Sequence, residues 1–213
     1  PCPDGTVDVL NLQIRQLQRL TGTTTASEGT ADNATDADVS TACTQTTPGG
    51  NITITYDSAT SITNFGVLPN ASGTWNIALQ VSQDAATYTS VYTNATFTAV
   101  AGEWQWIDLY DVDTTTLGVN LNNVLAVRLL ATAPTILDVA EFDVANSPSE
   151  ITMARINLDD YQSLPDKTFQ GRPVQYWLDI QRDTPVIRIW PAVQLQYTFY
   201  QLVLTRKRYL MDV

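Results

Sequence analysis

The sequence predicts a mainly β protein: an antiparallel, jelly-roll-like β-sandwich, a small C-terminal β-rich unit and a short N-terminal helix. Three observations support this prediction. Short runs from Asn51 onward have an apolar residue at every second position, turn-forming residues separate the runs, and the charge balance changes near Pro148. An apolar fraction of 44% in 213 residues is enough to build a core. We expect residues 1–20 as an amphipathic helix, 21–50 as a Thr-rich linker or extended arm, 51–148 as the sandwich, and 149–213 as the β-rich unit.

The N-terminal segment has helical spacing. Val7, Leu10, Ile14 and Leu17 fall on one side of a helix that would follow Asp4 as N-cap. Residues 21–50 are mostly Thr, Ala, Ser, Asp and Gly, with almost no large apolar side chain. Such a segment buries too little surface to offset its ordering entropy, which predicts a linker or an extended arm.

The sandwich is predicted from alternating runs. The clearest is Thr74 to Val81, because its apolar residues occupy every second position, as in a strand with one buried face. Turn-rich pieces at 69–73 and 101–103 separate the runs. The other predicted strands are Asn51 to Tyr56, Tyr88 to Thr93, Trp104 to Leu109, Val124 to Leu130 and Thr135 to Val144.

Charge divides the chain near Pro148. Residues 1–148 hold three arginines against fifteen carboxylates, a net charge of −12, whereas residues 149–213 hold eight basic and seven acidic groups, a net charge of +1. So acidic a chain is not expected to bind a DNA groove or an anionic membrane. No run approaches the roughly 18 apolar residues that cross a bilayer, so no membrane partner is predicted.

The composition excludes the commonest catalytic sites. The chain has no histidine, which removes the usual general base and the usual ligand for zinc or iron. Cys2 and Cys43 belong to no metal-ligand spacing, and either pair with each other in an oxidising medium or remain inert thiols. The adjacent carboxylates Asp159 and Asp160 are better explained as helix-start or turn residues than as an acid/base pair. We predict no enzymatic activity, no cofactor and no bound metal.

One phrase of the sandwich resembles a known family. Trp75 to Val81, then Ser82-Gln83-Asp84, then Ala101 to Leu109, is similar to the jelly roll of galactose-binding-like and discoidin-like domains. In that family a strand ending in Ser-x-Asp-Gly precedes a strand that carries Trp. Here Gln83-Asp84-Ala85 occupies the turn and Glu103-Trp104-Gln105-Trp106 opens the next strand. The resemblance implies a jelly-roll architecture, with sugar binding as one function of that fold.

Two candidate ligand sites follow within the sandwich, each with an alternative. Trp104 and Trp106 share one face of a predicted strand, so they form either part of the core or, with Tyr110, a platform for a sugar ring. Asp108, Asp111 and Asp113 form either a solvated acidic turn or a Ca²⁺ site, although their spacing does not fit an EF-hand.

The C-terminal segment predicts a turn-and-hairpin unit. Asp159 to Leu164 can form one helical turn that Pro165 stops, and Gly171-Arg172-Pro173 is a turn. Val174 to Ile180 and Val186 to Trp190 form a hairpin, and Gln196 to Tyr209 is a final strand.

Residues 149–213 also resemble the head-to-tail adaptor or tail accessory factor (neck) proteins of tailed bacteriophages. The matching stretches, in the order and spacing of that family, are Arg155 to Tyr161, Leu164 to Lys167, Gly171 to Asp179, Ile187 to Pro191 and Arg208 to Asp212. The resemblance implies a structural virion protein of the neck, assembled in the host cytoplasm, in which copies form a ring under a twelve-fold portal protein. It further implies tail or nozzle proteins as partners, DNA passing through the channel without sequence-specific contact, and the jelly roll as an inserted decoration.

Five basic residues are candidates for contact between subunits. Arg206, Lys207 and Arg208 form the basic run and, with Arg172 and Arg182, are candidates for contact with an acidic neighbouring subunit. The alternatives are a carbohydrate-binding β-sandwich module, or another tail component such as a nozzle or tube protein. Because the chain begins at Pro1 without an initiator Met, we expect a processed chain or a fragment.

Overall fold

A computed structural model describes residues 6–146, 150–180, 185–193 and 199–208. The chain divides into two compact units: unit 1 comprises Pro1–Gln18 and Ser147–Val213, and unit 2 comprises Arg19–Asn146. The strands are β1 Thr6–Leu20, β2 Thr23–Ala26, β3 Cys43–Thr44, β4 Asn51–Thr60, β5 Asn64–Pro69, β6 Gly73–Ser82, β7 Thr89–Ala99, β8 Gln105–Asp108, β9 Val124–Ala131, β10 Asp138–Asn146, β11 Glu150–Thr152, β12 Ala154–Arg155, β13 Gln175–Asp179, β14 Val186–Trp190 and β15 Phe199–Arg208. The helices are α1 Thr114–Leu117 and α2 Leu158–Ser163, and Ala31–Ala34 is a 3₁₀ turn.

Unit 2 is a β-sandwich of two antiparallel sheets. In one sheet β3 and β5 pair with β10, and β8 pairs with β5; the other has the order β2-β4-β9-β6-β7. One apolar cluster fills the space between them, with Phe65 and Phe142 from the first sheet and Ile52, Leu79 and Leu129 from the second all fully buried. The predicted fold class, a mainly β protein with an antiparallel sandwich, is confirmed.

The six predicted sandwich strands are present, and β6 shows why they could be read from sequence. Trp75, Ile77, Leu79 and Val81 are buried, whereas Asn76 and Gln80 are half-buried. Within the predicted sandwich segment the missed strand is β5, in which all six residues are buried, and β2 and β3 lie in the segment that was predicted as a linker or arm. A strand covered on both faces can be apolar on both, so β5 carries no clear period-two signal.

The predicted N-terminal helix is wrong, because residues 6–20 form strand β1. Register shifts between Thr6 and Asp8 and between Val9 and Asn11 interrupt its pairing with β15. Val9 and Leu12 are buried on either side of the second irregularity, whereas Leu10 is 55% exposed. The helical pattern read from the sequence therefore included an exposed residue, Leu10, and left out two buried ones.

Residues 21–50 belong to unit 2 and do not form the predicted linker. β2 pairs with Ile52–Thr55 of β4, and Cys43 and Thr44 pair with β10. The Glu28 carboxylate accepts hydrogen bonds from the backbone N–H and hydroxyl groups of Thr46 and Thr47, which lower its pKa to about 2. Strand pairing and hydrogen bonds, together with the burial of Ala34 and Cys43 in the core, therefore order this segment.

The structure describes only one of the two cysteines, Cys43. Cys43 is a free thiol that is fully buried, and burial raises its pKa. A buried thiol with a raised pKa is unreactive. Cys2 lies outside the described residues, so the predicted pairing stays a prediction.

Unit 1 has its own core. Val9, Leu12 and Ile14 of β1 pack with Tyr176 and Leu178 of β13. β1 pairs with β11 and β15, and a three-stranded sheet has the order β12-β13-β14. In the described part of the chain, no helix has the length and apolar character that a membrane span requires.

The C-terminal elements are largely as predicted. Asn157 caps α2 by accepting a hydrogen bond from the Asp160 N–H, and β13 and β14 form the expected antiparallel pair. The residues that would join this hairpin, 181–184, lie outside the described part.

Candidate functional site

Two stacked tryptophans lie on the outer face of β8. Trp104 precedes the strand and Trp106 lies within it; their ring centroids are 5.3 Å apart and their planes differ by 19°. Ile107 packs against the core, and Leu109 is buried in it. Because side chains alternate along a strand, the two tryptophans point away from the core. Of the two readings that the sequence left open, the structure therefore excludes core packing, and both rings are half-buried.

Gly66 of β5 forms the floor under Trp106. The two residues are opposite one another in the antiparallel pairing, and an added Cβ at Gly66 would stand 2.8 Å from the indole carbons Cδ2 and Cε2. Any side chain at this position would therefore displace the ring. A lone glycine in an apolar run is the sequence signal for such a close approach.

We expect Gly66→Ala to displace Trp106 and to destabilise unit 2 by about 1–3 kcal/mol, the usual cost of overpacking. Urea unfolding followed by tryptophan fluorescence measures the loss, and the native emission should shift as well. Gly73→Ala is the matched control, because an added Cβ there would lie 3.8 Å from the nearest Trp75 atom. Equal effects of the two substitutions would contradict the described packing.

A cleft of about 290 Å³ opens beside Tyr110, two residues after β8 ends. Tyr110 is 51% exposed. The cleft has an apolar floor and neutral polar groups around it, and none of the described residues that line it is a carboxylate or a cation. The floor consists of Ile62, Leu109, Val112 and Leu121, and the polar groups belong to Thr63, Thr114, Asn120 and Asn122. Apolar surface with a few placed polar groups is typical of small-molecule sites.

Two of the three aspartates after Trp106 accept local hydrogen bonds. Asp108 Oδ1 accepts a hydrogen bond from the Tyr110 N–H, and Asp113 caps α1 through the Thr116 N–H and hydroxyl. These bonds to Thr116 lower the pKa of Asp113. Within the described residues, no group of three or more His, Cys, Asp or Glu side chains is arranged to hold a metal ion.

A buried ionic cluster lies elsewhere in unit 2, on β10. Glu141 and Asp143 are 1% and 2% exposed, and both bind Arg19: Nη2 donates to Glu141 Oε2 at 2.9 Å, and Nε lies 2.5 Å from Asp143 Oδ1. Glu141 Oε1 and Asp143 Oδ2 have no hydrogen-bond donor among the described residues. Burial raises the pKa of Glu141 to about 7 and that of Asp143 to about 6, although Arg19 opposes both shifts.

Sequence reasoning missed this cluster, although one signal was present. Arg19 and Arg128 are the only basic residues between positions 19 and 146. A lone cation among many carboxylates is a candidate for a buried pair.

The predicted contact residues are not gathered into one described site. Arg172 follows Gly171 and is exposed, and Lys207 is exposed near the end of β15. Arg206 and Arg208 lie on the same strand, and Arg182 is outside the described residues. Their role in subunit contact stays a prediction.

Aromatic residues of the C-terminal motif stack on the surface of unit 1. The Tyr161 and Trp177 rings stack with centroids 5.3 Å apart, and Arg188 and Lys167 lie over their faces. Trp190 Nε1 donates to the Asp166 carbonyl at 2.8 Å. The motif thus stabilises a folded surface, beside which a cleft of about 520 Å³ is lined by residues including Arg155, Leu158, Asp160 and Trp177.

Comparison with known proteins gave matches among solved structures only. No protein-family model matches the chain, and no curated protein matches it. An F5/8 type C domain from Bacteroides fragilis is 13% identical, with a TM-score of 0.49 over 62% of this chain and 97% of that one. Chitosan-binding module 1 of a chitosanase/glucanase from Paenibacillus sp. IK-5 is 21% identical, with a TM-score of 0.46 over 60% of this chain and 96% of that one.

A third similar structure is the family 32 carbohydrate-binding module of Clostridium perfringens NanJ in complex with galactose. It is 13% identical, with a TM-score of 0.46 over 58% of this chain and 93% of that one. Similarities this low do not identify what the present chain binds. The fold class follows from the strand pairing described above.

Proposed function

We propose that this protein is non-catalytic and that its β-sandwich binds a carbohydrate on the outer face of β8. The observation that carries the proposal is the stacked Trp104–Trp106 pair, which lies outside the core and over Gly66. The apolar face of a sugar ring packs on an indole, and a ring held by its neighbours loses little freedom when a ligand binds.

The test is glycan binding by the intact chain, screened on an array and quantified by calorimetry. We expect Trp104→Ala and Trp106→Ala each to weaken binding about ten-fold or more, which corresponds to about 1.4 kcal/mol. Trp177→Ala is the matched control, because it removes a half-buried tryptophan from unit 1. Circular dichroism establishes that each variant is folded. If no glycan binds, or if the control loses as much affinity, the proposal is wrong.

Unit 1 supports a second candidate function, assembly. Among the described residues, six of the ten large apolar side chains that are exposed belong to this unit, namely Leu10, Leu158, Phe169, Val174, Ile180 and Leu202. A neighbouring subunit that covers these residues would remove apolar surface from water. Together with the resemblance of residues 149–213 to phage neck proteins, these residues support a ring of copies that joins a portal to tail proteins in the virion, with DNA passing through it.

Native mass spectrometry of the intact chain tests assembly. We expect closed oligomers of the wild type, and dissociation when Phe169 and Ile180, which are 54% and 56% exposed, are both replaced by Asp. Val39→Asp is the control, because Val39 is 64% exposed in unit 2. A monomeric wild type would overturn the assembly role, and micrographs of virions that place the chain outside the neck would overturn that location.

A further inference from the structure

Unit 2 has almost no positive charge to offer a ligand. Residues 19–146 contain two arginines against thirteen carboxylates, and hence a net charge of −11. Arg19 is bound to Glu141 and Asp143. Arg128 lies 3.6 Å from the ring centre of Tyr88, and its Nε donates to Thr53 Oγ1 at 3.2 Å. Both arginines of the unit are thus engaged within the protein.

The segment that carries the tryptophans is itself acidic. Glu103 precedes Trp104, and Asp108 and Asp111 follow Trp106; all three carboxylates are exposed. Carboxylate and sulfate groups on a ligand are normally recognised by Arg or Lys, which bind them with charge-assisted hydrogen bonds. Here such groups would instead meet like charges in a unit with a negative field.

The cleft beside Tyr110 has the complementary neutral chemistry. Asn120 and Asn122 are exposed, and their carboxamide NH₂ groups have no acceptor among the described residues. Amide and hydroxyl groups pair with sugar hydroxyls without charge. Tyr110 lies four positions after Trp106 in the chain, which places their Cα atoms at most about 14 Å apart. One extended ligand can therefore touch both.

We propose, on the basis of the carbohydrate-binding function above, that the ligand is a neutral oligosaccharide lying from the Trp104–Trp106 pair to the Tyr110 cleft, and that glycans bearing carboxylate or sulfate are rejected. The tryptophan pair holds one sugar ring by stacking. The Asn120 and Asn122 amides bind hydroxyls of a second sugar unit.

The test uses an array of neutral trisaccharides printed beside their C6-oxidised counterparts, in which a carboxylate replaces CH₂OH. Calorimetry then measures three ligands: the neutral trisaccharide that binds, its C6-oxidised counterpart (the uronate) and the constituent monosaccharide. Each is measured in about 0.01 M and about 0.5 M NaCl. We expect the neutral trisaccharide to bind with little dependence on salt. The uronate should bind at least about ten-fold more weakly at low salt and recover partly at high salt, and the monosaccharide should also be about ten-fold weaker.

Asn122→Ala separates the two parts of the site. It should weaken the trisaccharide and leave the monosaccharide unchanged, whereas Trp106→Ala should weaken both. If neutral glycans bind but the uronate binds equally well, or the monosaccharide binds as tightly as the trisaccharide, this inference is overturned while the carbohydrate function stands. If no glycan binds, both are overturned.

Discussion

Arg19→Met is expected to destabilise unit 2 by about 3–5 kcal/mol, because it leaves two buried carboxylates without their cation. The methionine keeps most of the apolar stem of the arginine, so the loss should come from charge rather than from volume. Glu141 and Asp143 are almost completely buried, and each already has one oxygen without a donor among the described residues. Urea unfolding at pH 8, followed by circular dichroism, measures the effect.

Arg128→Met is the matched control for Arg19→Met, since it removes the other arginine of unit 2. Its contacts are a stacked tyrosine ring and one threonine hydroxyl, so its loss should cost about 1 kcal/mol. Adding Glu141→Gln and Asp143→Asn to Arg19→Met should recover much of the stability, because neutral amides need no counter-charge. If Arg19→Met costs no more than Arg128→Met, the cluster is not a buried ion pair in solution.

The sequence predicted those strands in which apolar and polar residues alternate. They include β10, which is buried on both faces but in which Glu141 and Asp143 alternate with Phe142 and Val144. β6 and β9 alternate because one side packs on the core, and their boundaries follow from turn residues. β5 could not be found, because both of its faces are covered and it contains Gly66. Alternation in the sequence indicates a difference in polarity between the two faces of a strand. A strand without that difference cannot be distinguished from any short apolar run.

The error at the N-terminus has a different origin. β1 is a strand because it pairs with β15, whose residues lie at the other end of the chain, with Asn11 opposite Thr205. Such pairing is invisible to a window of neighbouring residues. The predicted helical face included Leu10, which the strand leaves exposed, and left out Val9 and Leu12, which the strand buries, so the local signal pointed to the wrong element.

The candidate site was only partly predictable for the same reason. Trp104 and Trp106 stand out as an aromatic pair, but their position outside the core depends on Ile107 and Leu109 packing inward. The cleft beside Tyr110 combines residues near positions 62, 110 and 120, which only the folded chain brings together. The Arg19 cluster likewise joins residues more than 120 positions apart.

The stability of unit 2 is expected to fall as the pH rises from about 5 to about 8. Burial raises the pKa of Glu141 to about 7 and that of Asp143 to about 6, above their ordinary values of 4.5 and 3.8. Below about pH 3 both are protonated in the folded and the unfolded chain, and they favour neither. As the pH rises, the unfolded chain releases these protons first, so the folded state binds more protons and the free energy of unfolding decreases.

Between pH 5 and 8 the fall should be on the order of 4 kcal/mol, since about three pKa units of the two shifts lie in that range and each corresponds to about 1.4 kcal/mol, and it should level off above the folded pKa values. The groups that face Glu141 and Asp143 are Arg19, Asp36 and Tyr56, and none of them reverses this sign. Carboxyls with lowered pKa values, such as Glu28, act oppositely and lose their contribution as the pH falls below about 4.5. Stability should therefore be greatest near pH 4 to 5.

Urea unfolding at a series of pH values tests this profile against a charge-matched control. Glu141→Gln with Asp143→Asn should flatten the decline between pH 5 and 8, because the buried groups no longer ionise. Asp57→Asn with Glu103→Gln removes the same number of charges from exposed positions, and should leave the decline in place. If both double variants flatten the profile equally, general repulsion among the acidic groups causes the decline, and the buried pair does not.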